Sequence, residues 1–186
     1  MSPAPEKPGR PTWQKAVSFA ARHHRHHLRK DKRTPYVAHV YRVAMTVRDC
    51  FECDDAEALC AALLHDTIED TPIDFDDIEE AFGTVVAEMV AALTKNMLLR
   101  EDVREIDYDE RLAKADWRAR LVKLADVYDN LCDMGNRPKS GPAALARMLS
   151  RCERAIALAA GDGAAHPETA RAIEVVQAEM ARATKA

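Results

Sequence analysis

The chain has 186 residues, of which 47% are hydrophobic and 31% charged, and its formal net charge is −4. This length predicts one compact domain with a buried core. The negative net charge gives no overall positive field, so we expect neither a nucleic-acid nor a membrane partner. Because the chain has only 6 glycines and 5% aromatic residues, we predict an all-α fold of packed amphipathic helices.

The absence of long apolar segments and the number of cysteines indicate the cellular compartment of the protein. No apolar run reaches the length of a membrane span, and the N-terminus lacks the charged-then-apolar order of a signal peptide. We therefore expect a cytoplasmic protein whose five cysteines are buried thiols rather than a disulfide framework. Cys50 and Cys53 have C-x-x-C spacing, but no second such pair completes a zinc site.

The N-terminal part of the chain predicts a tail followed by three helices. Four prolines among the first eleven residues oppose helical hydrogen bonding, so residues 1–11 are expected to form a disordered, mobile tail. Apolar residues then repeat at helical spacing, which predicts helices over 12–28 and 36–50 with a basic loop between them. Asp54 or Asp55 can cap a third helix, which we expect to continue to Asp70.

The remainder of the chain predicts further helices, giving a single bundle of about eight. Asp74 or Asp76 can cap a short helix that ends at Gly83, and a helix is predicted to follow over 85–95. The charged stretch 96–107 predicts a loop or a frayed, mobile lid. The last segments are predicted as a long helix, a Gly/Pro-rich connector and two packing helices, over 108–134, 135–142, 142–160 and 167–184.

A chemically unusual segment lies at the end of the third predicted helix. The residues from His65 to Asp70 include one imidazole and three carboxylates. In a continuous helix, residues four apart share a face, so His65 would lie above Glu69 and Asp66 above Asp70. A divalent cation would resolve the repulsion between these charges, because His nitrogen and Asp oxygen suit Mn, Fe, Co or Zn. A solvated acidic helix end is the alternative interpretation.

Two distant residues favour the metal site. His39 and Asp126 each interrupt an apolar segment, and both would need polar partners if buried. A lone histidine beside a core stripe is more often structural, and a lone aspartate usually caps or pairs locally. Together with His65-Asp66, however, these two residues form a pattern that rarely arises by chance. The combination therefore predicts a metal centre.

The order of His39, His65-Asp66 and Asp126 is similar to the H…HD…D signature of the HD-domain phosphohydrolases. More narrowly, the chain resembles the hydrolase domain of the RelA/SpoT group and its stand-alone small alarmone hydrolases. The resemblance implies an HD hydrolase domain over 12–186, with a motif-bearing core over 12–135 and packing helices over 142–184. The stretches that carry it are FAAR, TPYVAH, AALLHDTIEDT, AFG, LTK, and VKLAD followed by Asn130.

The resemblance also implies roles for individual residues. Mn²⁺ is the implied metal, although another divalent transition metal stays open, and its ligands would be His39, His65, Asp66 and Asp126. Glu69 and Asp70 would be catalytic and handle protons. The substrate-binding residues would be Arg29, Lys30, Asn130, Lys95 and His24.

The implied reaction is hydrolysis of the 3′-pyrophosphate of (p)ppGpp or (p)ppApp, with release of pyrophosphate. The partner is then a phosphorylated nucleotide, and a homo-oligomer stays open. Two alternatives remain: an HD phosphatase for another nucleotide, such as a nucleoside mono- or triphosphate or NADPH, and a binding module without turnover. Val40, Val127 and Asp129 depart from the family pattern, in which Pro, a basic and an aromatic residue are commoner. We interpret the run His23–His27 as a polar face or an adventitious metal site.

Overall fold

The computed structural model describes residues 12–136 and 141–185. Within these residues the chain is helical almost throughout and contains no β-strand, which confirms the all-α prediction. An isolated antiparallel bridge joins Leu28 to Pro35. The tail predicted for residues 1–11 lies outside the described residues, as do residues 137–140 of the predicted connector.

The helices follow one another with short connections. No helix in the described ranges is both long and apolar enough to cross a membrane. A π-helical segment, Thr46–Cys50, continues α2, and 3-10 segments follow α8 at Asp133–Asn136 and α9 at Asp162–Ala164. The α-helices are α1 (Thr12–His23), α2 (Val37–Met45), α3 (Ala56–Leu64), α4 (Thr67–Asp70), α5 (Phe75–Phe82), α6 (Thr84–Leu93), α7 (Glu101–Lys114), α8 (Trp117–Cys132), α9 (Pro142–Ala159) and α10 (Pro167–Ala183).

Capping residues explain where two of the early helices begin. The side chain of Asp55 accepts a hydrogen bond from the backbone N–H of Ala58 at 2.8 Å, which starts α3. Asp74 starts α5 through a reciprocal capping box with Asp77. The same helix ends at Gly83, whose φ of +89° is disfavoured for residues that carry a Cβ. The predicted caps are thus confirmed, at position 55 and at position 74.

The first predicted helix is too long. α1 ends at His23 instead of continuing to residue 28. Beyond it the chain folds back on itself, because the backbone N–H of Tyr36 donates to the carbonyl of His27 at 2.8 Å. The N–H of Arg29 likewise donates to the carbonyl of Thr34 at 2.8 Å. These cross-chain bonds use the backbone groups that a longer helix would need.

Two later boundaries are also wrong. The stretch predicted as a loop or lid over 96–107 is helical from Glu101 onward. The long helix predicted over 108–134 is two helices, since α7 ends at Lys114 and α8 begins at Trp117. The side chain of Asp116 accepts a hydrogen bond from the backbone N–H of Arg118 at 2.9 Å, so a new N-cap interrupts the apolar repeat.

All five cysteines are free thiols. Cys53, Cys60 and Cys152 are buried, as predicted. Cys50 and Cys132 are exposed, so the prediction is wrong for these two. They are the last residues of the π-helical segment and of α8, and each is followed within two residues by a buried side chain, so they lie on outward-facing positions next to the core.

α8 is the central helix of the bundle. It packs against α2, α3, α6, α9 and α10. Its apolar face is fully buried at Leu121, Val122, Leu124 and Ala125. This packing brings Asp126, the next residue along the helix, close to α2 and α3.

Replacing Leu121 with alanine is expected to lower the free energy of unfolding by about 2–5 kcal/mol, because it leaves a cavity in a closely packed core. Leu98 offers a matched control, since its side chain is 96% exposed and the same substitution there removes little buried surface. Leu98→Ala should change the free energy of unfolding by about 0.5 kcal/mol or less. Urea denaturation of both variants measures the difference, and equal midpoints would contradict the placement of Leu121.

Candidate metal centre

One buried point brings together His39 of α2, His65 directly after α3, and Asp126 of α8. One ligand atom from each residue lies within 4.8 Å of the others. The Nε2 atoms of both histidines are buried and have no hydrogen-bond partner among the described residues. Buried polar atoms without partners are costly, and here both belong to side chains that commonly bind metals. This His/Asp cluster therefore suits a divalent metal ion.

Asp66, the fourth predicted ligand, borders the same point. Its Oδ2 atom lies 3.1 Å from Nε2 of His65 and 3.5 Å from Nε2 of His39. Oδ1 of Asp126 lies 3.7 Å and 3.3 Å from the same two nitrogens. Asp66 also accepts a hydrogen bond from the Tyr36 hydroxyl at 2.5 Å. All four predicted ligands thus converge, although Asp66 stands outside the tightest group of three.

The carboxylates make this point strongly favourable for positive charge. Burial alone would lower the pKa of His39, but the nearby carboxylates of Asp126, Asp129 and Asp66 outweigh it and raise the pKa to about 9. Burial likewise opposes protonation of His65, yet the charge of Asp66 raises its pKa well above the usual value. Carboxylates that stabilise a protonated imidazole also stabilise a cation held between the same side chains.

The helix α3 ends directly before His65. α3 ends at Leu64 and α4 spans only Thr67–Asp70, so the prediction of one continuous helix is wrong. Nδ1 of His65 lies 2.8 Å from the carbonyl oxygen of Ala62, a group that the next helical turn would otherwise engage. A carbonyl can only accept, so Nδ1 donates and Nε2 is left as the metal-facing atom. The break also turns Asp66 toward the two imidazoles.

Glu69 and Asp70 line the pocket beside this cluster. Oε2 of Glu69 accepts a hydrogen bond from the backbone N–H of Lys95 at 2.9 Å. Burial raises the pKa of Glu69, and burial together with the charge of Asp66 raises the pKa of Asp70. A raised pKa brings a carboxylate closer to the range in which it can exchange protons during catalysis.

An open pocket of about 440 Å³ lies over His65, Asp66 and Asp126. Its volume falls within the range of small-molecule sites. A cluster of positive side chains around acidic metal-type ligands suits a polyanion of nucleotide size. The cations that line the pocket are Arg29, Lys30, Lys95, Lys123 and Arg151.

The predicted substrate-binding residues are placed unequally. Arg29, Lys30, Lys95 and Asn130 line the pocket. The guanidinium of Arg29 donates to Oδ1 of Asn130 at 3.1 Å and to Asp133 at 3.0 Å. Asn130 in turn donates from Nδ2 to Oδ1 of Asp126 at 2.6 Å. Arg29 and Asn130 therefore already support a predicted metal ligand.

His24 is buried behind the pocket rather than among its lining residues. Its ring packs on Tyr36, with 4.9 Å between the ring centroids. Its Nδ1 lies 3.2 Å from Nδ1 of His27. Burial lowers the pKa of His24 to about 4, so the imidazole is neutral near pH 7. A neutral ring packed on Tyr36, which bonds Asp66, supports the site from behind.

Three residues at this site were given no site role from the sequence. The Tyr36 hydroxyl donates a hydrogen bond to Asp66. Oδ2 of Asp129 lies 2.7 Å from Nδ1 of His39. Asp129 follows Asp126 by three residues, so helical spacing could have placed it on the same face. Arg151 lines the pocket from α9, a helix expected only to pack, and no motif in its neighbourhood marks it. Whether this helix serves packing alone therefore stays a prediction, to which the structure adds one pocket-lining side chain.

Known proteins share this architecture. MESH1 of Drosophila melanogaster is 41% identical to this chain over 125 residues, and the match covers 66% of this chain and 69% of MESH1. MESH1 of Homo sapiens is 39% identical over 127 residues, covering 68% and 71%. Both are named guanosine-3′,5′-bis(diphosphate) 3′-pyrophosphohydrolases. A solved structure, described as a metazoan ortholog of SpoT that hydrolyses ppGpp, matches with a TM-score of 0.80 at 28% identity, covering 98% of this chain and 97% of that one.

The family match extends over most of the helices that form the site. The HD domain matches residues 16–152, which include His39, His65, Asp66 and Asp126. The resemblance predicted from the order of these four residues is confirmed. The chain belongs to the HD domain family.

Proposed function

We propose that this protein is a metal-dependent hydrolase that removes the 3′-pyrophosphate of ppGpp or a similar nucleotide. The observation that carries the proposal is the convergence of His39, His65, Asp66 and Asp126 beneath a cation-lined pocket of about 440 Å³. The activity named for the MESH1 relatives supports the same reaction.

We propose Mn²⁺ as the bound ion and these four residues as its ligands. Two imidazole nitrogens and two carboxylate oxygens form a mixed donor set that suits a first-row divalent metal. Lewis acidity would be the contribution of the bound ion, which makes water more acidic and neutralises phosphate charge. Lys123 donates to Oδ2 of Asp126 at 2.8 Å and so balances part of the negative charge of the ligand set.

The cations around the pocket would hold and orient the phosphates. The guanidinium of Arg29 is fixed by Asn130 and Asp133, so it can meet a phosphate with little loss of side-chain freedom. Lys30 and Arg151 line the same pocket, although they lie far apart along the chain. Together they would position the 3′-diphosphate over the metal centre.

Glu69 and Asp70 would handle the protons of the reaction. Water attacks the phosphorus next to the ribose, the bond from that phosphorus to the 3′ oxygen breaks, and pyrophosphate leaves. The attacking water must lose a proton and the 3′ oxygen must gain one. The hydrogen bond from Lys95 N–H orients Glu69, and its raised pKa suits such an exchange.

Incubation of the purified protein with Mn²⁺ and either ppGpp or ppApp is expected to release pyrophosphate from at least one of them. Chromatography that resolves the nucleotide product from pyrophosphate and orthophosphate provides the measurement. Orthophosphate from NADPH or a nucleoside triphosphate, with neither alarmone cleaved, would instead identify a different HD phosphatase. Binding of nucleotide without any product would identify a binding module. The choice of base, a cytoplasmic location and a homo-oligomer stay predictions.

A further inference from the structure

We propose that Asp129 is a positioning residue, which fixes the imidazole of His39 toward the metal centre while Arg42 holds Asp129 in place. The inference rests on the metal-dependent function proposed above. Three observations carry it: the two faces of His39, the clamp on Asp129, and the contrast with His65.

His39 has different partners on its two ring nitrogens. Its side chain is fully buried, and Nδ1 lies 2.7 Å from Oδ2 of Asp129. An ionised carboxylate can only accept a hydrogen bond, so Nδ1 carries the proton. In the neutral imidazole that a metal binds, Nε2 is then the atom with the lone pair, and it faces Oδ2 of Asp66 and Oδ1 of Asp126 at 3.5 Å and 3.3 Å. This is the tautomer and the orientation that a metal ligand requires.

Asp129 is itself clamped by a guanidinium. Nε of Arg42 donates to Oδ1 at 2.5 Å, and Nη2 of Arg42 donates to Oδ2 at 2.9 Å. A two-point contact of this kind fixes the carboxylate plane as well as its position. His39 and Arg42 are three residues apart on α2, as Asp126 and Asp129 are on α8. Each helix therefore presents a metal-side residue and a supporting residue on one face.

The two histidines of the site are supported differently. Nδ1 of His65 lies 2.8 Å from the backbone carbonyl of Ala62, whereas Nδ1 of His39 depends on a side chain. A side-chain substitution can thus release one imidazole and leave the other in place.

A purely structural ion pair between α2 and α8 is the rival explanation. The chain offers a matched control in Arg120 and Asp162, which form a similar two-point pair with distances of 2.6 Å and 2.8 Å. Both members are largely buried, and neither lines the metal centre. Removing Asp162 therefore tests what the loss of such a pair does to the fold alone.

The experiment measures Mn²⁺ affinity by calorimetric titration without nucleotide, alongside urea unfolding of the metal-free protein. Asp129→Ala is expected to weaken Mn²⁺ binding by about 10- to 100-fold, the usual effect of losing such a supporting contact. Asp129→Asn should lose less, because its amide oxygen can still accept the Nδ1 hydrogen bond. Asp162→Ala should leave Mn²⁺ affinity unchanged even where it lowers the free energy of unfolding.

Unchanged Mn²⁺ affinity in folded Asp129→Ala overturns the inference, as does an equal loss in Asp162→Ala. If the alanine variant does not fold, Asp129→Asn takes its place, because an amide has only one accepting oxygen and cannot keep both contacts with Arg42. Mn²⁺ affinity in Asp129→Asn equal to that of the wild-type protein would then overturn the inference. The proposed function and the positioning role can fail separately. If Mn²⁺ binding depends on Asp129 but the wild-type protein cleaves neither alarmone, the proposed function is contradicted and the positioning role is retained.

Discussion

Replacement of Asp66 with alanine is expected to lower kcat/KM for ppGpp by about 10³-fold, since several kcal/mol of transition-state stabilisation depend on the metal. Asp66 contacts both imidazoles of the cluster, at 3.1 Å and 3.5 Å, so its loss removes a ligand and also part of the negative charge that attracts the ion. Steady-state kinetics with saturating Mn²⁺ measure the effect.

Asp49 provides the control for Asp66. It is an exposed aspartate paired with Arg48 on the outer surface, at 2.8 Å. Asp49→Ala should retain wild-type turnover and wild-type Mn²⁺ affinity. Undiminished turnover in a folded Asp66→Ala protein would rule out the proposed metal mechanism.

Replacement of Glu69 with glutamine is expected to lower kcat by about 10²- to 10⁴-fold, the range typical of a lost general acid or base. The amide oxygen of glutamine can still accept the hydrogen bond from the backbone N–H of Lys95, so the local structure should persist. Mn²⁺ affinity should be little affected, which separates this variant from Asp66→Ala.

The pH profile adds a second readout for Glu69. Burial raises the pKa of Glu69, so its ionised form is lost at a higher pH than that of an exposed glutamate. If the ionised form acts as the base, wild-type kcat falls as the pH drops through that raised pKa, and Glu69→Gln lacks this acid limb. Glu101→Gln, at an exposed position in the first turn of α7, is the control. A wild-type kcat in Glu69→Gln would sink the catalytic assignment.

The cluster of proposed metal ligands could be predicted because their residue types and their order along the chain carry the information. His39 and Asp126 stand out in apolar helices, where a polar side chain needs a partner. Helical spacing could not predict the backbone conformation around His65. There the His65 side chain donates to the carbonyl of Ala62, a group that the helix would otherwise use, and the helix ends. Periodicity treats each segment as uniform, so it misses competition of this kind.

Contacts between helices were harder to predict than contacts within one helix. Asp129 meets His39 across 90 positions of sequence, and no local pattern pairs them. Arg151 reaches the pocket from a helix whose own sequence shows only an alanine-rich, packing character. Such placements follow from how α2, α8 and α9 pack together, which a single sequence does not specify.

The proposed ligands come from three separate parts of the chain, which has a consequence for folding. His39, His65 and Asp126 lie far apart along the chain, and only the packed bundle brings them together. An ion held by all three would act as a reversible cross-link that the unfolded chain cannot form. Its binding free energy would then add to the stability of the bundle, by about 2.7 kcal/mol at a free concentration one hundred times the dissociation constant. The supply of metal would thereby affect the free energy of unfolding of the protein as well as its activity.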